Sequence, residues 1–208
     1  ELLDRRVREV LRPDQYRLDA AIAAVEAGAV ILAGGERIEG VAVVDARGRG
    51  RLDALELGWQ KFVGREYRLA APHGLDRPIV MDARVDQADG YRFVYCLPFS
   101  ESEIFVEDTY YTDDPRLDAP RMKAALHRHC AERGWTITAI LREDRGVLPV
   151  VGAGDFARFW PGPESGPARA GVRAGLMHPL PSYSLPHAVR FAIHVASLPN
   201  LSGAGLGS

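Results

Sequence analysis

The chain has 208 residues, 47% hydrophobic and 26% charged, with a formal net charge of −2. That length is enough for one sizeable core or two small ones. The charges are interspersed and advertise no nucleic-acid surface, the two cysteines fit no metal or disulfide spacing, and no apolar run is long enough to cross a bilayer.

In chain order, Leu3, Val7, Val10 and Leu11 recur at helical spacing, which predicts a helix over residues 1–12 stopped by Pro13. Residues 18–27 read as a second, Ala-rich helix, with Asp19 near its start and Gly28 at its end. Gly34 and Gly35 are flanked by residues 29–32 and 37–38 and signal a hairpin. Residues 41–44 form a short continuous apolar run suited to a buried parallel strand, ending in Asp45, Ala46, Arg47 and Gly48. Residues 58–69 read as a strand and 70–77 as a loop. His73, in that Pro/Gly loop, fits a hydrogen-bonded structural role better than a proton shuttle.

Residues 78–111 carry the chemistry. They predict three strands, 78–86, 91–97 and 104–111, joined by a tight Asp89-Gly90 turn and a longer polar one over 98–103. Side chains alternate faces along a strand. Phe105, Glu107, Thr109 and Tyr111 therefore share one face of the third strand, and Ile104, Val106, Asp108 and Tyr110 the other. Tyr91, Phe93 and Tyr95 alternate onto one face of the second. Two adjacent acids in such a strand are unusual, because an ionised carboxylate among apolar groups loses its hydration. The acid that points inward is expected to have a raised pKa and to be able to hold a proton. A protonated carboxyl among aromatic rings suits protonation of an alkene, since π-faces stabilise the carbocation and burial excludes water.

Beyond this stretch, residues 118–133 predict a helix capped by Asp118, with Pro120 in its first turn, Gly134 at its end, and Met122, Ala125, Leu126, His129 and Cys130 as its apolar stripe. His127 and His129 point to different helix faces, so with Cys130 they make no zinc set. Residues 135–141 and 147–151 read as two strands. Gly152, Ala153 and Gly154 imitate a dinucleotide fingerprint, but Pro161, Gly162 and Pro163 end any helix after about two turns, and the match is read as chance. Residues 171–174 read as a strand, and 184–197 as a helix capped by Ser184, whose N-terminus facing the preceding turn is a natural anion site.

Several blocks carry a resemblance. GYRFVYCLPF (90–99) followed by FVEDTYY (105–111), GWQKFVGREYRLAAPHGLDRPIVMDA (58–83), LREDRGVLPV (141–150), and GVRAGLMHP (171–179) followed by YSLP (183–186) resemble, in order, the bacterial lycopene β-cyclases. The resemblance covers residues 43–195. It implies an α/β architecture: part of an FAD-binding domain of flavoprotein-hydroxylase style (residues 1–57 and 168–198), a mostly antiparallel substrate-binding sheet (58–167) and a flexible tail (199–208). It implies an incomplete enzyme, since nothing before Val43 matches the strand, Gly-rich turn and helix that bind the ADP half of FAD in the family. It implies non-redox cyclisation of the ends of lycopene to β-rings, with reduced FAD as cofactor, in the cytoplasm at the membrane periphery.

In that reading Glu107 is the general acid, or the stabiliser of the ring cation if the flavin supplies the proton. Asp108 is the second catalytic candidate, or it orients Glu107, or it faces solvent. Tyr91, Phe93, Tyr95, Phe105 and Tyr111 are the substrate-binding candidates, or ordinary sheet core. Asp45, Gly48, Gly175, Pro179, Ser182 and Ser184 are the candidates to hold the flavin. The family places Thr and Gly before the Tyr-Ser pair, where this chain has Pro181 and Ser182, so close backbone approach to a cofactor is less open here. Two rival readings are a flavin monooxygenase on the same fold and a non-catalytic carotenoid-binding fragment.

Overall fold

The computed structural model describes residues 2–87, 90–160, 166–178 and 182–199. Asp89 of the expected turn, the breaker residues Pro161, Gly162 and Pro163, Pro179 and Pro181, and tail residues 200–208 lie outside the described residues. In chain order the elements are α1 (Leu2–Val10), β1 (Ile22–Glu26), β2 (Ala29–Leu32), β3 (Arg37–Glu39), β4 (Val44–Asp45), β5 (Leu55–Leu69), β6 (Ile79–Asp82), β7 (Tyr91–Pro98), β8 (Glu103–Thr112), α2 (Ala119–Glu132), β9 (Ile137–Gly154), α3 (Phe156–Phe159), β10 (Ala168–Arg169) and α4 (Leu185–Ser197). Short 3-10 turns occupy Pro13–Gln15 and Gly171–Ala174. The described residues divide into two units, one lying within Glu1–Arg51, Trp160–Met177 and Ser184–Ser208, the other within Leu52–Phe159 and His178–Tyr183.

In the first unit α1 stops two residues before Arg12, which the following Pro13 holds in the extended region at φ −73, ψ 154. The expected helix over 18–27 is instead β1. Asp19 has φ +53, which breaks helical geometry at the proposed start, and Gly28 sits in a two-residue hairpin loop that brings Glu26 opposite Ala29. Cross-strand pairing has overridden the helix propensity of the alanines. β2 then pairs antiparallel with β3 across Gly34 and Gly35, as the hairpin signal predicted. β4 pairs parallel with β10. The expected strand over 171–174 is a 3-10 turn, because Gly171 and Gly175 take φ +60 and +69 and curl the chain back on itself. Ser184 precedes α4 in helical rather than extended geometry and makes no side-chain cap bond, so the expected cap is absent.

The second unit is a five-stranded antiparallel sheet in the order β6-β7-β8-β5-β9. β6 is shorter than predicted: Met81 takes φ +54, and the Asp82 carboxylate folds back onto the Arg84 N–H and guanidinium. β9 is one strand where two were expected. The polar residues Arg142, Glu143 and Asp144 continue it because the 15-residue β5 offers a ladder along its whole length. β9 lies at the sheet edge, where Pro149 is tolerated. The core fills one face. Val63, Tyr67, Val94, Cys96, Ile104, Val106 and Tyr110 pack against Met122, Leu126 and Cys130 of α2. Asp118 caps that helix by accepting from the Arg121 N–H at 3.1 Å, and Gly134 (φ +71) lets the chain leave it, both as predicted. The short α3 after Gly154 agrees with reading the glycine fingerprint as chance.

Candidate active site

The face of the sheet turned away from α2 is built from the alternate residues. Tyr91, Phe93 and Tyr95 of β7 stand directly opposite Tyr111, Thr109 and Glu107 of β8, and Leu97 opposite Phe105. Gln60, Phe62, Gly64 and Glu66 of β5 continue the same rows, followed on β9 by Leu148, Gly146, Asp144 and Arg142. The structure thus brings all five aromatic candidates and Glu107 onto one surface. Their rings touch in series: Tyr91 to Phe93 at 5.5 Å, Phe93 to Tyr95 at 5.4 Å and Phe93 to Tyr111 at 5.9 Å between centroids.

Two glycines shape this surface. A Cβ on Gly64 would lie 2.2 Å from the Phe105 ring, and one on Gly146 would lie 2.6 Å from the Phe62 ring. The ends of both rings therefore occupy the space that a side chain at either position would fill. Arg142 stands 5.6 Å from the Phe105 ring centroid, a cation over a π-face.

Glu107 is half-buried in this setting. Burial raises its pKa above the usual carboxylate range, and Asp144 and Asp108 add to the rise. The Thr109 hydroxyl, donating to Glu107 Oε1 at 2.9 Å, opposes it. Tyr95, opposite Glu107, has its hydroxyl pKa raised by burial and by a hydrogen bond with Tyr183. Tyr183 follows Ser182, whose hydroxyl donates to the Pro149 carbonyl. The segment at 182–183 is thus tied to β9 and β7.

Asp108 points the other way. It is fully buried on the α2 side, where its Oδ1 accepts from Arg92 Nε at 2.7 Å. Burial raises its pKa too, but here a guanidinium opposes the rise. Asp108 therefore neither joins the aromatic surface nor orients Glu107 directly.

Of the cofactor candidates, Asp45 is buried and its oxygens are taken by Arg47 at 2.9 Å and Arg173 at 3.2 Å. These cations hold its pKa down, the Arg47 hydrogen bond most of all. Asp45 thereby fastens the end of β4 to the 171–174 turn. Ser182 spends its hydroxyl on Pro149 and belongs with the sheet. Gly48 and Gly175 both adopt positive φ, and nothing lies within 4 Å of a Cβ at Gly48. The Ser184 hydroxyl makes no cap bond at the start of α4. Asp45 and Ser182 are thus committed to internal bonds, whereas the α4 N-terminus carries no side-chain cap.

Outside the site, His73 is structural, as expected. It is bonded through Nε2 to the Ser100 carbonyl and through Nδ1 to the Leu75 N–H. His127 meets Arg65, while His129 turns to Cys96, so the two histidines diverge. Thr109, Gly64 and Tyr183 were not singled out from the sequence. Thr109 could have been found, because it stands two residues from Glu107 on the same strand face.

A family model described as lycopene cyclase protein matches residues 2–202. The chain is 46% identical to the lycopene beta-cyclase of Paracoccus sp. strain N81106, over 88% of this chain and 47% of that one. It is 43% identical to that of Pantoea ananas, over 91% and 49%, and 40% identical to that of Pseudescherichia vulneris, over 91% and 49%. The chain spans about half the length of these curated relatives. Among solved structures, OxyS anhydrotetracycline hydroxylase from Streptomyces rimosus aligns at 14% identity and a TM-score of 0.46, over 90% of this chain and 37% of that one.

Proposed function

The chain belongs to the lycopene cyclase family, and from that premise we propose that it provides the substrate sheet and the acid of a lycopene β-cyclase. One observation carries the reading: the Glu107 carboxyl, with a raised pKa, stands in an aromatic surface and is hydrogen-bonded there by a neutral hydroxyl rather than a cation. These surroundings favour the protonated form, the one that can give a proton to an alkene. Glu107 gives the proton to the terminal double bond of lycopene. The end of the chain then closes to a six-membered ring bearing a tertiary cation, and loss of a ring proton leaves the β-ring. Atoms balance, since one proton enters and one leaves. The Glu107 carboxylate left after the first step is a base suited to recover a proton. Tyr95, Phe93 and Phe105 offer π-faces to the cation and hold the hydrocarbon.

FAD in its reduced form is the cofactor of this reading. Gly48, Gly175 and the N-terminus of α4 are this chain's groups for holding it. When bound, it supplies negative charge that stabilises a nearby cation or assists proton transfer. This reading places the enzyme in the cytoplasm, and the substrate's hydrocarbon nature supports peripheral contact with the membrane. So does the stripe of Leu185, Val189 and Ile193, all exposed on α4. No described helix is long and apolar enough to cross a membrane.

The test is to express the chain, alone and joined to a flavin-binding segment, in cells that accumulate lycopene. The expected product is β-carotene, reduced about 100-fold or more by Glu107→Gln. Unchanged lycopene with the flavin-binding segment present would overturn the assignment.

A further inference from the structure

Thr109 is fully buried. It stands between Phe93 on β7 and Phe62 on β5, which pair with it on either side. As a β-branched residue in a strand, it has few rotamers open to it. Its hydroxyl has one proton to give and directs it to Oε1 of Glu107 at 2.9 Å. In a neutral carboxyl the carbonyl oxygen is a better acceptor than the hydroxyl oxygen. A donor fixed at Oε1 therefore favours carbonyl character there.

We propose that Thr109 is a positioning residue for proton transfer: by donating to Oε1 of Glu107 it places the acid's proton on Oε2, the oxygen that delivers it. This rests on the reading of Glu107 as the acid. The other groups facing the carboxyl are consistent with the role. Tyr95 faces it from β7, and Asp144 from β9 across the bare backbone of Gly64. Asp108 lies on the opposite face of the same strand. The two carboxylates favour the protonated form of Glu107, and Thr109 favours the ionised form that the reaction generates. Thr109 thus orients the proton before transfer and stabilises the carboxylate after it.

The test compares Thr109→Val, which keeps the shape, with Thr109→Ser, which keeps the hydroxyl. Glu107 is titrated by 13C NMR in glutamate-labelled protein, and the Glu107→Gln variant assigns the resonance. The midpoint is expected to rise in Thr109→Val and to return toward wild type in Thr109→Ser. In lycopene turnover by the flavin-loaded protein, Thr109→Val is expected to lower kcat about tenfold with KM unchanged. Its pH profile is expected to move with the midpoint, and Thr109→Ser to restore both. Coincident midpoints for Thr109→Val and wild type, or a Thr109→Ser protein that behaves like Thr109→Val, would overturn the proposal. The titration needs no substrate, so failure of wild-type turnover would count against the cyclase reading and leave this result to stand or fall alone.

Discussion

Glu107 and Asp108 are neighbours in one strand, yet the two faces of the sheet give them opposite surroundings. Asp108 is sealed beneath α2 and meets the Arg92 guanidinium, itself buried, at 2.7 Å. Glu107 faces a partly open aromatic surface and meets only the Thr109 hydroxyl among the described residues. Burial raises both carboxyl pKa values, so desolvation does not distinguish them. The partner does. A cation opposite the carboxyl favours a fixed ion pair, and a neutral donor leaves a proton that can move. The closed face holds the sheet and the open face is fit for chemistry.

Breaking the pair on the closed face is expected to have the largest effect on stability. Asp108→Asn leaves the Arg92 guanidinium buried without its counter-charge and should cost about 3–5 kcal/mol in denaturant unfolding. Glu107→Gln should change stability by less than about 1 kcal/mol while removing turnover. Equal losses in the two variants would erase the contrast between the faces. Next, Gly64→Ala forces the Phe105 ring off the backbone and should cost about 1–3 kcal/mol. The accompanying change in the Phe105 ring environment can be read by NMR.

The smallest expected effect lies on the β6 side. The Asp82 carboxyl is held down to about 2, chiefly by its hydrogen bond with Arg84. A depressed carboxyl contributes stability that is present above its unfolded pKa of 3.8 and is lost as pH falls toward about 2. Asp82→Asn should therefore be less stable than wild type at neutral pH and converge with it in acid. Arg84 is largely exposed, so the difference should be about 1 kcal/mol. A difference that persists below pH 2 would point to packing instead.

Much of the contrast between the faces was legible in the sequence, because it follows from the period of two in residues 91–97 and 104–111. That alternation put Glu107 with the aromatics and Asp108 with Ile104 and Val106. What it could not give was partners. Arg92 meets Asp108, and Asp144 faces Glu107, only through pairings fixed by the whole sheet. The α2 helix was readable from its cap, proline, apolar stripe and terminal glycine, all local signals. β1 was misread because alanine has no strand signature of its own and the hairpin with β2 decided the outcome. The single long β9 was hidden by four consecutive charged residues, whose backbone pairs with β5 while their side chains stay largely exposed.

The surroundings of Glu107 favour its protonated form beyond what an ordinary glutamate experiences. The direct measurement is the titration midpoint of the Glu107 carboxyl in the folded wild-type protein, assigned by loss of its resonance in Glu107→Gln. The expected midpoint lies above 4.5, the ordinary glutamate value. A midpoint at or below 4.5 would mean that the aromatic surface, Asp144 and Asp108 do not favour the protonated form of Glu107, and would contradict that reading.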